Sequence, residues 1–189
     1  MTAALTALTL LLHGDSVSSS RIEVSGREAR VTFTFSMEDL AELARLDLDR
    51  DGTVEPEEWT QVLPALFSYL GDRFRIDGCR SEGDPLLVPP ATTLKDRRAP
   101  VTLRMRYVSA GPLDRLRIRC DLFHEHEGAP RHVAEGPGGR VMVFDRERPE
   151  IDGFSAAKPS RAWMVGGSVA AVILAAVLLS RPGSRAAAA

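Results

Sequence analysis

The stretch RIEVSGREARVTFTF, residues 21–35, alternates apolar and polar residues on either side of a Ser25-Gly26 pair. Successive side chains of a β-strand point to opposite faces of the sheet, so an alternating run has one apolar face. Four side chains of the second half share that face: Ala29, Val31, Phe33 and Phe35. A serine-glycine pair between two such runs is typical of a tight turn. The stretch therefore predicts a β-hairpin with one buried face.

Strand-like alternation returns in the second half of the chain. Apolar residues alternate in several further runs: Phe74 to Ile76, Val101 to Tyr107, Leu116 to Leu122, and a last pair around His132-Val133 and Arg140 to Asp145. Turn signals such as Gly111-Pro112 separate these runs. Short strands between turn signals are typical of a β-sandwich. We therefore predict a mainly β fold with an α insertion, namely an immunoglobulin-like (Ig-like) β-sandwich.

The insertion lies between the hairpin and the later strands, where the apolar period changes to that of a helix. Ser36 and Asp39 are similar to a capping box at the start of a first helix. In a second helix, six apolar residues follow helical spacing: Trp59, Val62, Leu63, Leu66, Phe67 and Leu70. Gly71 is a natural stop for this helix. Pro64 lacks a backbone N–H, so we expect either one bent helix or two offset pieces.

Between the two predicted helices lies DLDRDGTVEPEE, residues 47–58, in which six of the twelve residues are acidic. Carboxylates this close to one another repel, so the folded chain must offset the repulsion. Two interpretations are open: the loop is either a solvated acidic turn or the binding loop of a cation.

The spacing of the oxygen-bearing residues favours the cation. Ca²⁺ takes about six to eight oxygen ligands, and the loop matches the pattern D-x-D-x-D-G-x₅-E without a miss. The predicted ligands are the carboxylates of Asp47, Asp49, Asp51 and Glu58, the backbone carbonyl of Thr53, and a water molecule held by Glu55. Gly52 permits the sharp turn that such a loop needs. The sequence therefore predicts Ca²⁺ as the cofactor.

Over residues 39–70 the chain resembles the EF-hand family, through this loop and the helical periods that flank it. EF-hands usually occur in pairs, and no second loop of this spacing is visible in the sequence. The resemblance implies a single site that is weaker and less switch-like than a paired one. Extracellular sites bind Ca²⁺ at about 10⁻⁴–10⁻³ M. We therefore interpret the site as structural, holding the two helices against the sandwich, rather than as a sensor.

Both ends of the chain carry apolar segments. Residues 1–12, MTAALTALTLLL, have the length of the apolar part of a signal peptide, and Ser16-Val17-Ser18 has the form of a cleavage site. No basic residues precede the segment, and a buried strand is the alternative interpretation. Residues 162–179 carry no charged side chain and extend roughly 27 Å as a helix, which is enough to cross a bilayer. We predict a single-pass protein of the cell membrane whose bulk is extracytoplasmic.

The apolar segments and the strand pattern together divide the chain into parts. The predicted parts are a signal peptide at 1–18, an extracytoplasmic β-sandwich at 19–146 with the EF-hand at 37–71, a linker at 147–161, a transmembrane helix at 162–180 and a cytoplasmic tail at 181–189. The linker is assigned because residues 146–161, RERPEIDGFSAAKPSR, are mostly polar.

The chain contains two cysteines, Cys79 and Cys120. In an exported protein, two cysteines are the number needed for one disulfide bond. We therefore predict a bond between them, with a pair of buried free thiols as the alternative.

Three histidines lie in FHEHEGAPRH, residues 123–132. His124 and His126 would point to the same side of a strand, and His132 would then close a site for nickel, copper or zinc. The alternative is a polar strand end that runs into a loop containing glycine and proline.

The order of these parts resembles the extracytoplasmic N-terminal region of HupE/UreJ-like bacterial membrane proteins. The segments that carry the resemblance are RIEVSGREARVTFTFSMEDL, LDLDRDGTVEPEE, LRIRCDLF, PRH and GGRVMVF. The resemblance covers residues 21–152 and implies a connection with nickel or cobalt transport. This sequence has one predicted span where that family has several, so the family's transport residues have no counterpart here.

The predicted function is a membrane-anchored extracytoplasmic calcium-binding module with a binding or interaction role toward an unknown protein partner. The alternative is an accessory protein for nickel, cobalt or other transition-metal handling. We expect no enzyme, because the sequence has no nucleophile elbow, H-E-x-x-H motif or phosphate loop. We also expect no nucleic-acid binding, since no basic patch with interleaved aromatic residues is present.

Overall fold

The structure, a computed structural model, describes residues 17–84, 88–123 and 131–155. This part of the chain is mainly β with two helices, which confirms the coarse prediction. The elements are β1 (Val17–Ser25), β2 (Glu28–Ser36), α1 (Met37–Leu43), β3 (Thr53–Val54), α2 (Pro56–Arg73), β4 (Phe74–Ile76), β5 (Cys79–Gly83), β6 (Thr92–Thr93), β7 (Pro100–Ser109), β8 (Arg115–Cys120), β9 (Arg131–Glu135), a 3₁₀ turn (Pro137–Gly139), β10 (Val141–Phe144) and β11 (Glu150–Ser155).

The described strands form two main sheets and one small one. The largest sheet has six strands in the order β10-β9-β1-β2-β7-β5, and the second has three in the order β11-β8-β4. Strands β3 and β6 form the third sheet by themselves. Strands β1 and β2 are the predicted hairpin, and its turn has Gly26 at φ +61°, a conformation that glycine adopts without strain. Strand β1 also pairs in parallel with β9, which brings the N-terminal hairpin beside a late part of the chain.

The two main sheets pack on each other through aromatic rings. Phe74 of the three-stranded sheet meets Phe33 of the six-stranded sheet edge to face, with ring centroids 5.1 Å apart. The same ring also contacts Tyr107 and Phe144. The Tyr107 hydroxyl donates a hydrogen bond of 2.9 Å to the Phe74 carbonyl, so its polar end is satisfied inside the core. The residues predicted to share a face of β2 are all at most 1% exposed: Ala29, Val31, Phe33 and Phe35.

Helix α1 begins at the predicted capping box. Ser36 Oγ accepts a hydrogen bond of 3.0 Å from the Asp39 N–H, and the Ser36 N–H donates one of 3.1 Å to the Asp39 carboxylate. Helix α2 is a single helix of 18 residues that passes through Pro64, so the alternative of two offset pieces is wrong. It ends at Arg73, two residues beyond the predicted stop at Gly71.

Glycines allow α2 to lie close against β5. A Cβ atom at Gly83 would lie 2.1 Å from the Phe67 ring, and one at Gly71 would lie 2.6 Å from Ser81 Oγ. Both distances are far below van der Waals contact, so the missing side chains permit this approach. Gly71 therefore serves the packing of α2 rather than its termination.

The predicted linker at 147–161 is wrong in part, because Glu150–Ser155 forms β11. This strand pairs antiparallel with β8, and Ile151 lies opposite Ile118. The pairing register shifts between Ile151 and Phe154. The irregular register and Gly153 interrupt the alternation by which a strand is recognised in a sequence.

The N-terminal boundary also differs from the prediction, because β1 begins at Val17 rather than at the expected domain start, Ser19. Ser18 is 1% exposed and belongs to the fold. Residues 1–16 of the predicted signal peptide and the predicted span at 162–180 lie outside the described residues. Within the part of the chain that the structure describes, no helix is both long enough and apolar enough to cross a membrane.

The predicted disulfide bond is not present, since Cys79 and Cys120 are both free thiols. Cys79 begins β5 in the six-stranded sheet, and Cys120 ends β8 in the three-stranded sheet. Burial raises the pKa of both thiols, that of Cys120 to about 12, so the thiol form is favoured. The alternative of buried free thiols therefore holds for Cys120, whereas Cys79 is free but only half-buried.

Candidate metal centre

The loop between α1 and α2 turns by hydrogen bonds from its own backbone to its own carboxylates. Asp47 accepts bonds from the N–H groups of Arg50 at 2.5 Å and Gly52 at 3.0 Å. Asp49 and Asp51 each accept one from the N–H two residues later. These bonds satisfy the backbone of an irregular segment and fix the direction of the carboxylates.

Two residues of the loop adopt the left-handed backbone conformation. Gly52 has φ +91° and Arg50 has φ +70°. The left-handed region disfavours side chains with a Cβ atom, and glycine is the residue that enters it freely. Gly52 therefore has the role that the sequence predicted, since it permits the sharp turn at the sixth loop position.

Glu58 reaches back from the first turn of α2 to the start of the loop. Its Oε1 accepts hydrogen bonds from the N–H groups of Leu48 at 2.6 Å and Asp49 at 3.3 Å, and its Oε2 accepts one of 3.0 Å from Glu55. The side chain is buried, at 7% exposure. The Leu48 hydrogen bond lowers the pKa of Glu58, with burial acting in the opposite direction, so the ionised carboxylate is favoured.

Three of the predicted ligands meet at one point. Asp47, Asp49 and Glu58 each offer a carboxylate oxygen, and these atoms all lie within 4.8 Å of one another. The Glu58 carboxylate is buried, that of Asp47 is half-buried and that of Asp49 is exposed. Carboxylate oxygens are the type of ligand that a hard cation takes, and their charges repel one another when no cation is present.

The other three predicted ligands are not part of this group. The Asp51 carboxylate is exposed and accepts a hydrogen bond of 2.8 Å from the Thr53 N–H. Thr53 lies in β3. Glu55 lies next to the group, and its pKa is raised, first by a hydrogen bond with Glu58, then by burial and by the charge of Asp51. The neighbouring carboxylates therefore disfavour the charged form of Glu55.

The loop has a strand partner that sequence reasoning missed. Thr53 pairs with Thr93 and Val54 with Thr92 in an antiparallel arrangement, and the Val54 side chain is fully buried. The Leu94 N–H donates a bond of 3.0 Å to the Gly52 carbonyl. A two-residue strand has no periodicity to detect, and the preceding proline pair at 89–90 is typical of a loop.

The histidine hypothesis loses its third ligand in the structure. His132 is 2% exposed, its Nδ1 lies 2.8 Å from Ser18 Oγ and its Nε2 lies 2.8 Å from Ser20 Oγ. Both ring nitrogens are therefore engaged in the core, and burial lowers the pKa of His132 to about 3. His124 and His126 lie outside the described residues.

Comparison with known proteins gives no relative from which a role can be transferred. The chain matches no protein-family model, and no curated protein matches it. The resemblances to the EF-hand family and to HupE/UreJ-like proteins therefore rest on the residues of this chain alone, and the geometry of the loop has to support the functional proposal.

Proposed function

We propose that this chain is a calcium-binding module of the Ig-like β-sandwich type, in which one EF-hand-like loop binds a single Ca²⁺ with a structural role. The observation that supports the proposal most directly is the grouping of Asp47, Asp49 and Glu58 oxygens within 4.8 Å. The loop pattern adds Asp51, Thr53 and Glu55 as ligands that complete the coordination of a bound ion. The proposal assigns binding rather than catalysis to the chain.

The structural role is proposed because the candidate site joins α2 to the loop that precedes it. Glu58 belongs to α2, yet its carboxylate accepts bonds from the loop residues Leu48 and Asp49. A cation between the three carboxylates would strengthen the same connection and neutralise the charge gathered there. Calcium would therefore stabilise the folded chain.

The proposed location is the outer face of the cell membrane, with residues 162–180 as anchor and an unknown protein as partner. The support is the uncharged sequence of residues 162–179. Fractionation of cells that produce the chain tests this, because a protein with this anchor stays with the membrane in carbonate wash. Release into the wash would contradict the anchor.

The first experiment compares Glu58→Gln with Glu57→Gln in the full-length chain, by calorimetric titration with CaCl₂. Both variants remove one charge from the first turn of α2, but Glu57 is exposed and lies outside the group of three. We expect Glu58→Gln to weaken calcium affinity about tenfold or more, because it removes a carboxylate ligand. Glu57→Gln is expected to change affinity less than about twofold, since exposed charges at a distance are screened.

Equal affinities for the two variants would contradict the assignment of Glu58 as a ligand. A parallel titration with NiCl₂ tests the alternative of transition-metal handling. Nickel binding that disappears in a variant with His124→Ala and His126→Ala would favour that alternative over a calcium module.

A further inference from the structure

A single segment, residues 92–99, contacts the candidate calcium loop at one end and helix α1 at the other. We call it the 92–99 strap. It lies entirely within the described residues and directly precedes β7. EF-hand-like loops ordinarily find a strand partner in a second loop, and in this chain the strap occupies that position.

The first attachment is to the middle of the loop. Strand β6 of the strap pairs with β3, and Gly52 accepts hydrogen bonds from the Leu94 N–H at 3.0 Å and from Thr93 Oγ1 at 3.3 Å. Gly52 is one of the two left-handed residues of the turn, and Thr53 is the predicted carbonyl ligand. The strap therefore holds the loop backbone at the residues on which ligand geometry depends.

The second attachment is to the start of α1, the helix that enters the loop. The Met37 N–H donates a bond of 3.0 Å to the Ala99 carbonyl, and the Glu38 N–H donates one of 2.9 Å to the Arg97 carbonyl. The Arg97 guanidinium also pairs with the Glu38 carboxylate. N–H groups in the first turn of a helix have no partner within the helix, so the strap completes this end.

Between the attachments the strap is folded on itself. The Asp96 N–H donates a bond of 3.3 Å to the Thr93 carbonyl, and the Ala99 N–H donates one of 2.9 Å to the Asp96 carbonyl. The Lys95 N–H donates one of 3.3 Å to Thr93 Oγ1. These turns fix the length of the connection, so displacement of one attachment strains the other.

We propose that the 92–99 strap takes the place of a second EF-hand loop and is energetically coupled to calcium binding. This inference rests on the proposed function, since it requires that the loop binds Ca²⁺. A docked strap keeps the loop near its binding conformation, so it raises affinity. By linkage, bound calcium favours the docked strap by the same factor.

Limited digestion with trypsin tests whether bound calcium favours the docked strap, because Lys95, Arg97 and Arg98 are exposed cleavage sites in the strap. We expect calcium to slow cleavage at these sites by about 3- to 10-fold, the factor that corresponds to one or two hydrogen bonds. Cleavage at Arg27, in the exposed β1–β2 turn, is the internal reference. The Glu58→Gln chain at the same calcium concentration corrects for the effect of calcium on trypsin itself.

Substitutions at Leu94 test whether the docked strap raises calcium affinity. Leu94→Pro removes both the side chain and the N–H that bonds to Gly52, whereas Leu94→Ala removes only the side chain. We expect calcium affinity to fall about 3- to 10-fold further in Leu94→Pro than in Leu94→Ala, as measured by calorimetric titration. Thr93→Val removes the Oγ1 bonds and keeps the shape of the side chain, so a smaller loss in the same direction is expected.

The outcomes separate the two proposals. A chain that binds no calcium contradicts both the proposed function and the proposed coupling between the strap and calcium binding. The chain could instead bind calcium through Glu58, with equal affinities in the two Leu94 variants and equal cleavage ratios with and without calcium. That result overturns only the proposed coupling between the strap and calcium binding. Digestion of the unsubstituted chain decides the coupling even where Leu94→Pro does not fold.

Discussion

At the scale of single residues, His132 shows how burial determines what a side chain can do. The ring lies in the core beside Phe33, Phe74 and Phe144, and it is bonded to serines of β1. Its pKa falls from 6.5 to about 3 because the charged form is excluded from this apolar surrounding. Protonation is therefore linked to unfolding.

The sign of this linkage gives a prediction. The unfolded chain binds a proton at His132 below about pH 6.5, and the folded chain does so only near pH 3, so stability is complete above pH 6.5 and falls as the pH decreases. Between pH 7.5 and 5 we expect this group to reduce the free energy of unfolding by about 2 kcal/mol. Urea unfolding at both pH values measures this reduction in the free energy of unfolding.

His132→Gln is the matched control, because glutamine keeps hydrogen-bonding groups at the site without a titrating ring. Its free energy of unfolding is expected to change about 2 kcal/mol less than that of the unsubstituted chain over the same pH interval. The same pH dependence in both chains would contradict the assignment of His132 as the linked group.

The alternation of residues around His132 in the sequence indicates its buried position. His132 and Ala134 alternate with Arg131, Val133 and Glu135, and both are buried in β9. The spacing of His132 from His124 and His126 is also compatible with a metal ligand, so the sequence alone leaves the two interpretations open. The position of Glu58 could be predicted from the sequence, because the loop pattern places its carboxylate with those of Asp47 and Asp49, and the structure groups these three.

At the scale of elements, the contact between α2 and β5 depends on the absence of side chains. Gly83→Ala would place a Cβ atom 2.1 Å from the Phe67 ring, so the ring or the helix must move. We expect a loss of about 1–3 kcal/mol in the free energy of unfolding. Chemical denaturation measures this loss.

Gly111→Ala is the control for this substitution, because a Cβ atom there meets nothing within 4 Å. Its expected effect is within about 0.5 kcal/mol. Equal effects at the two positions would show that backbone entropy, rather than the approach of α2 to β5, determines the result.

Elements with regular alternation or a clear cap could be predicted from the sequence, and the others could not. The β1–β2 hairpin and the start of α1 are confirmed because local chemistry specifies them. The parallel pairing of β1 with β9, and the pairing of β3 with β6, depend on contacts between distant segments. Pro64 is tolerated within α2, a helix that buries one face against the core.

At the scale of the whole molecule, helix α2 connects the candidate site to the core. Glu58 lies in the first turn of α2, and Phe74, which follows the last residue of α2, lies among the rings between the two main sheets. Helix α2 therefore runs from the loop to the aromatic rings between the two main sheets. Calcium binding is expected to stabilise the domain as a unit rather than the loop alone.

The most direct test is thermal unfolding of the full-length chain in detergent, in 10 mM CaCl₂ and in chelator. For a dissociation constant of about 10⁻⁴ M, this concentration would stabilise the folded state by about 2.7 kcal/mol, or a Tm increase of about 5–10 °C. Magnesium at the same concentration is expected to give a smaller shift, because it requires a tighter octahedral site. An equal Tm in calcium and in chelator, with no heat of binding on titration, would contradict the account and leave the loop as a solvated acidic turn.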